Sequence, residues 1–132
     1  MKLELKHLAP YLPYELKILN GKEYDIVNGI DNKTVISLFR GHLENFTTIE
    51  NVKPILRPLS DLISLINIDF EDEKFKPIDV IIRKGGCHSA VALHVKIGKG
   101  TLGFKYFDLL LQWHFDVFGL IDAGLAIDIN TL

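Results

Sequence analysis

GFKYFDLLLQWHFDVFGLIDAGLAIDINTL, residues 103–132, is the stretch whose reading decides the fold. It carries the chain's one tryptophan, Trp113, within a dense run of aromatic and aliphatic side chains. On a helical wheel Lys105, Asp108, Gln112, Asp116, Gly119 and Asp122 recur three or four positions apart and form a narrow polar stripe. Tyr106, Phe107, Leu109, Leu110, Leu111, Trp113, Val117, Phe118, Leu120 and Ile121 fill the rest of the circle. An apolar arc wider than half the circumference predicts one long helix covered on two sides. Gly124 would end it in a left-handed cap, and Leu125 and Ile127 would fold back or add a strand. His114 falls inside the apolar arc and is expected as a hydrogen-bonded core histidine.

Upstream of this helix, Gly98, Gly100 and Gly103 read as a flexible turn, with Thr101 as a cap near the helix start. Residues 89–97, SAVALHVKI, alternate as a strand does: Val91, Leu93, Val95 and Ile97 share one face, Ala90, Ala92, His94 and Lys96 the other. In PIDVIIRKGG, residues 77–86, the β-branched run is compatible with a strand. The spacing of Ile78, Ile81 and Ile82, Pro77 at the start and Gly85-Gly86 as a stop favour a short helix. Residues 68–76, with Asp69, Glu71, Asp72 and Glu73, read as an exposed acidic loop. Before it, Leu59, Leu62, Ile63 and Ile66 fall on one helical face behind Pro58, predicting a helix over 58–67.

The first third has the period of strands. A helical turn over residues 3–9 is expected to stop at Pro10 and Pro13. Four short strands follow, near 16–20, 23–30, 34–39 and 46–49, the last with room to run on to Ile55. Turns at Asn20-Gly21, Asp31-Asn32-Lys33 and Gly41 separate them. The expected fold is therefore α+β: an N-terminal antiparallel β-meander, a small sheet or SH3-like half-barrel, followed by helices, with a long buried C-terminal helix packed on the sheet. One domain is expected over 1–132, mainly β over 1–57 and mainly α over 58–132, with one added strand or hairpin near 89–97.

Composition narrows the function classes. Of 132 residues 48% are hydrophobic and 24% charged, ordinary globular usage that argues against disorder. No run reaches the roughly 18 uncharged residues of a membrane helix, and Glu4, Lys6 and His7 interrupt any would-be signal segment. A single cysteine, Cys87, excludes an intramolecular disulfide and fits a reducing cytoplasm. Net charge is −2, so the whole molecule is no magnet for nucleic acid. Between Val80 and Phe107, however, Arg83, Lys84, Lys96, Lys99 and Lys105 stand with no acidic residue among them. These five are the candidate partner-binding residues, for nucleic acid or phosphate, although lysines also protect exposed strands and turns.

Catalytic patterns are absent from the sequence. His88 and His94 on one strand would lie about 20 Å apart, too far for one metal. Cys87-His88 has no second cysteine and no His-x-x-x-His to complete a metal site. Gly98-Lys99-Gly100-Thr101 fails as a phosphate loop, because Gly follows the Lys where Ser or Thr must take magnesium. Cys87 with a nearby His is formally a thiol dyad, but a small buried cysteine is the ordinary reading. Asp108 and Asp116 belong to the solvent stripe, and Tyr24, Phe39 and Phe46 to the core. No catalytic residue, cofactor or metal is expected.

Three stretches carry a resemblance: HLAPYLPYELKI (7–18), KPILRPLSDL (53–62) and WHFDVFGLIDAGLAIDINTL (113–132). Together they resemble a family of small uncharacterised proteins encoded in phages and prophages of gut Bacteroides-type bacteria. The resemblance implies a context rather than an activity: a phage-derived accessory protein of the bacterial cytoplasm or the virion. With no catalytic pattern, the expected function is non-enzymatic, a protein–protein interaction or assembly module that binds a protein partner or itself and no membrane. The alternative is a small nucleic-acid-binding module using the basic segment 83–105.

Overall fold

A computed structural model describes residues 2–20, 23–31, 33–39, 43–66 and 74–132, without the side chains of Asn20, Glu23, Phe39, Leu43 and Glu44. The turns expected at Gly21, Asn32 and Gly41 and the acidic residues 69–73 lie outside the described residues. The chain is mixed α/β, with helices set against a mixed six-stranded sheet.

The chain enters through α1, Leu5–Leu8, where the Glu4 amide donates to His7 Nδ1 at 3.0 Å. It does not stop at the prolines. A 3-10 helix, Ala9–Tyr14, runs through both. Pro10 sits in its first turn, where no N–H partner is needed. This segment buries Leu8 and Tyr11 completely.

Strands β1 (Lys17–Asn20), β2 (Glu23–Ile30), β3 (Thr34–Phe39) and β4 (Leu43–Thr48) pair antiparallel in chain order. One face of the sheet is apolar and buried because Ile18, Val27, Val35 and Leu16 recur at inward positions. A bulge between Val27 and Gly29 rephases β2, so that Ile30, opposite Val35, also turns inward. The fourth strand does not continue to Ile55. A 3-10 turn, Ile49–Asn51, ends it, and β5 (Val52–Leu56) crosses to pair with β1 on the other side. The short strand β6, Ile127–Asp128, adds parallel to β5, giving the order β4-β3-β2-β1-β5-β6.

The helical half departs more from expectation. Of the described residues in the helix expected over 58–67, only Leu59–Ile63 is helical, as a 3-10 turn; the chain is extended by Ser64, and Ile66 instead pairs with Phe75 through amide–carbonyl bonds of 2.8 and 2.9 Å. Residues 77–83 form the helix α2, Pro77–Arg83. The strand expected over 89–97 is the helix α3, Ala90–Lys99. Ser89 caps it, its hydroxyl accepting from the Ala92 amide at 3.1 Å, and Gly100 at φ 68° closes it. The alternation misled because Ala90, Leu93 and Ile97 already make a helical face, which packs inward, while Val91 and Val95 are exposed.

The long C-terminal helix is the largest correction. Helix α4 spans Phe104–Gln112 only, and its N-cap is Gly103 rather than Thr101. At His114 the backbone takes φ 60° and leaves the helix. The Arg57 amide then donates to the His114 carbonyl and the Asp116 amide to the Arg57 carbonyl, each at 2.8 Å, which extends the β5 edge. Asp116 is not on a solvent stripe: it is buried, and its carboxylate accepts from the Leu120 and Ile121 amides at 2.8 and 2.9 Å. Gly124, at φ 75°, lies in a turn rather than at a helix end.

Among the described residues two buried clusters result. The first joins the inward sheet face to Leu3, Leu8, Tyr11, Leu111, Leu120 and Ala126. The second gathers Leu62, Ile66, Ile78, Ile81, Cys87, Leu93, Leu110 and Phe115. Helix α4 lies between them, giving Phe107 and Leu111 to the first and Tyr106 and Leu110 to the second. The middle of its apolar surface is thus covered from within the chain, while Phe104 at its start stays exposed.

Candidate functional site

The five basic residues singled out in the sequence stand on helices and their ends rather than on strands, and two of them, Lys96 and Lys105, reach the turn after α2 or the ring packed against it. Helix α2 ends in the turn 84–86, where Gly85 has φ 83° and the Gly86 amide returns to the Ile81 carbonyl at 2.9 Å. Tyr106 of α4 lies against this turn so closely that a Cβ on Gly86 would sit 2.7 Å from its ring. The Tyr106 hydroxyl donates to the Lys84 carbonyl at 2.6 Å. Lys96, from α3, donates to the Gly86 carbonyl at 3.0 Å. Lys105 holds its ammonium 5.9 Å from the Tyr106 ring centroid, a weak cation–π contact. Arg83 adjoins Lys84 and reaches back to the Asp79 carbonyl, and Lys99 follows Lys96 in the last turn of α3.

Helices α3 and α4 thus bring cationic side chains to the turn that follows α2. Part of this charge has local work: Lys96 satisfies a carbonyl at the end of α2, and cations at helix C-termini oppose the helix dipole. Arg83, Lys84, Lys99 and Lys105 are exposed.

Cys87 is buried in the second cluster, whereas His88 and His94 are exposed. Among the described residues no group of three or more His, Cys, Asp or Glu side chains could hold a metal ion. Nor, among them, is any helix long and apolar enough to cross a membrane. A shallow cleft of about 210 Å³, lined by Lys2, Leu3, Glu50, Val52, Lys53 and Leu125, is smaller than usual ligand pockets. An exposed ion pair, Lys2 to Glu50 at 3.2 Å, crosses its rim.

A second constellation ties 7–18, 53–62 and 113–132 together. The Tyr11 hydroxyl donates to the Phe115 carbonyl and accepts from the Val117 amide at 3.3 Å. Burial pushes its phenol well above the ordinary range, an effect that the Val117 amide opposes and the Asp116 charge reinforces. His114 is half-buried and hydrogen-bonds through Nε2 to the Tyr14 carbonyl, and the Tyr14 hydroxyl donates to Asp108. Glu15, beside Tyr14, has φ 55°, so among the described residues the two non-glycine residues with positive φ, Glu15 and His114, both lie at this joint. Asn130 Nδ2 donates to Asp61 at 2.8 Å, tying the C-terminal end to 53–62. The donors and acceptors are spent on one another here, which makes the constellation a structural joint.

Two features went unread in the sequence. Asp25 is buried on the inward sheet face, and its Oδ2 accepts from Ser37 Oγ at 2.7 Å and Asn45 Nδ2 at 3.2 Å. A carboxylate at an inward position of β2, two residues before Val27, was the available signal. The other is the outward sheet face, with Leu19, Tyr24, Ile26, Ile36, Leu38 and Phe46 in facing registers. None of these six belongs to either buried cluster. Tyr24 and Phe46, expected in the core, are 55% and 68% exposed; the Phe39 side chain lies outside the described ones. Comparisons with protein-family models, with curated proteins and with solved structures find no match for this chain.

Proposed function

We propose that the chain is a non-enzymatic accessory protein of a phage or prophage, acting in the bacterial cytoplasm or the virion by binding another protein or itself. One observation carries this reading: the sheet has a second apolar face, on which Tyr24 and Phe46 stand more than half exposed. Large exposed apolar side chains gathered on one face mark interaction sites more often than isolated ones do. Size-exclusion chromatography with light scattering, run beside affinity capture from a host lysate, tests it. A chain that stays strictly monomeric and captures nothing would sink the proposal.

A nucleic-acid-binding module using Arg83, Lys84, Lys96, Lys99 and Lys105 is the second reading, supported by the Lys96 and Lys105 ammonium groups that stand at the turn after α2 and over the Tyr106 ring against it. Phosphate contacts made there would give binding that weakens steeply with salt. Gel shifts with DNA and RNA over a salt series decide it, and binding that is absent or indifferent to salt removes it.

A further inference from the structure

Among the described residues no strand pairs with the outer edge of β4, and one charge, Glu44, is its main protection. Edge strands are commonly kept short, bulged, or marked with lysine or proline. The opposite edge obeys this rule, since β6 has only two residues. In contrast β4 has six, LENFTT, with neither lysine nor proline, and keeps an unbroken register with β3 from Leu43 to Thr48.

The direction of its backbone groups follows from one bond. The Ile49 amide donates to the Lys33 carbonyl at 2.8 Å, so position 49 faces β3. Antiparallel ladders alternate, so Thr47, Asn45 and Leu43 also turn their backbone groups to β3. Those of Glu44, Phe46 and Thr48 point outward. The Phe46 side chain, on the outward sheet face, stands beside this row.

We infer that β4 is a self-pairing edge: two copies of the chain join antiparallel through the outward backbone groups of Glu44, Phe46 and Thr48, about a two-fold axis at Phe46. This rests on the interaction-module reading and names the partner as a second copy. A two-fold at Phe46 places Phe46 opposite its own copy and Glu44 opposite Thr48 of the other chain. The three facing pairs would exchange about six hydrogen bonds, since each such pair exchanges two. Glu44 is the strand's only charged residue and never meets itself, so no like charges oppose each other. The two phenyl rings, now open to water, would cover one another across the axis. Such pairing is isologous, and it closes at two chains.

Thr48 supplies the test. Its φ of −68° already suits proline, whose ring holds φ near −65°. Thr48→Pro therefore removes an outward donor without disturbing the β3 ladder. Light scattering over a dilution series up to about 100 µM should show the wild type reaching twice the monomer mass. Thr48→Pro and Phe46→Lys should each weaken association at least about tenfold. Amide exchange in the wild type should slow at Phe46 and Thr48 as concentration rises, a readout that needs no variant. A monomer at every concentration overturns the inference, and so does a dimer unmoved by both substitutions with exchange unchanged at these amides. The first result, with a different protein captured, would leave the broader interaction reading standing; the second would leave self-association through another surface.

Discussion

The two cores differ in how far apart along the chain their residues lie. The first takes Leu3 from one end, Ala126 from the other and the sheet between them. The second draws all its buried members from Leu62 to Phe115. Closing a long loop costs entropy before any contact repays it, so a core built from distant segments needs contacts that hold them in register. Those contacts are polar and specific: Tyr11 on the Phe115 carbonyl, Arg57 on His114 and Asp116, and the Asp116 carboxylate on two amides. The local core combines close fit, with Gly86 under Tyr106 and Leu93 and Ile81 fully buried, with short-span bonds such as Tyr106 to the Lys84 carbonyl and Lys96 to the Gly86 carbonyl.

Phe115 offers the hardest test, because its ring is fully buried in the second core while its carbonyl anchors Tyr11 in the first. Phe115→Ala should cost about 3–5 kcal/mol in urea denaturation. Hydrogen exchange should show both halves loosening together; loosening confined to one half would mean that the cores are independent. Tyr11→Phe removes only the hydroxyl and leaves the Val117 amide and Phe115 carbonyl without it. A loss of about 1–3 kcal/mol is expected, with protection falling first in the sheet half. Gly86→Ala probes the opposite half by pushing a methyl group into Tyr106 and Ile81, and about 1–3 kcal/mol should be lost. Combining it with Tyr106→Leu should restore part of that loss. If it does not, close approach of the ring is not the cause.

The smallest effect lies at the joint itself. The hydrogen bond to Asp108 is the main cause that raises the Tyr14 phenol pKa, with desolvation and the Asp108 charge adding to it. The folded chain therefore holds this proton more tightly than the unfolded one. Its contribution is complete below the ordinary value of 10.0 and is lost as pH rises through the higher folded value. Tyr14→Phe should flatten the alkaline decline of stability in a pH series of denaturation midpoints. Identical slopes for the two proteins would show that this bond does not hold in solution.

The strands were the most legible part of the fold. β2 and β3 lie where alternation and β-branching put them, since a half-buried strand has a period of two that few other structures imitate. α2 was open between helix and strand, and the spacing of its isoleucines with Pro77 pointed the right way. Residues 89–97 resist assignment from sequence because SAVALHVKI satisfies both periods. The choice fell to Ser89, whose hydroxyl caps a helix, and to Gly100, which ends it. Of the candidate site, the charge of the five basic residues was readable, but the meeting of Lys96 and Lys105 at the turn after α2 was not. It depends on Tyr106 meeting the turn 84–86 across 20 residues of chain, from position 86 to 106.

Residues 103–132 divide what the sequence determined from what it did not. The sequence determined part of which side chains there leave water: Leu110, Leu111 and Leu120 of the apolar arc are buried, but so is Asp116 from the polar stripe. It also determined a helix over the part that begins at Phe104. Only the tertiary structure decided that this helix stops at Gln112 and that its apolar arc serves two cores. The physical reason is competition for backbone hydrogen bonds. Past Trp113 the carbonyl of His114 and the amide of Asp116 find partners on Arg57, 57 residues before His114, and the Asp116 carboxylate takes two amides of the next turn. Periodicity along the chain registers burial, but it carries no signal for a partner so far away.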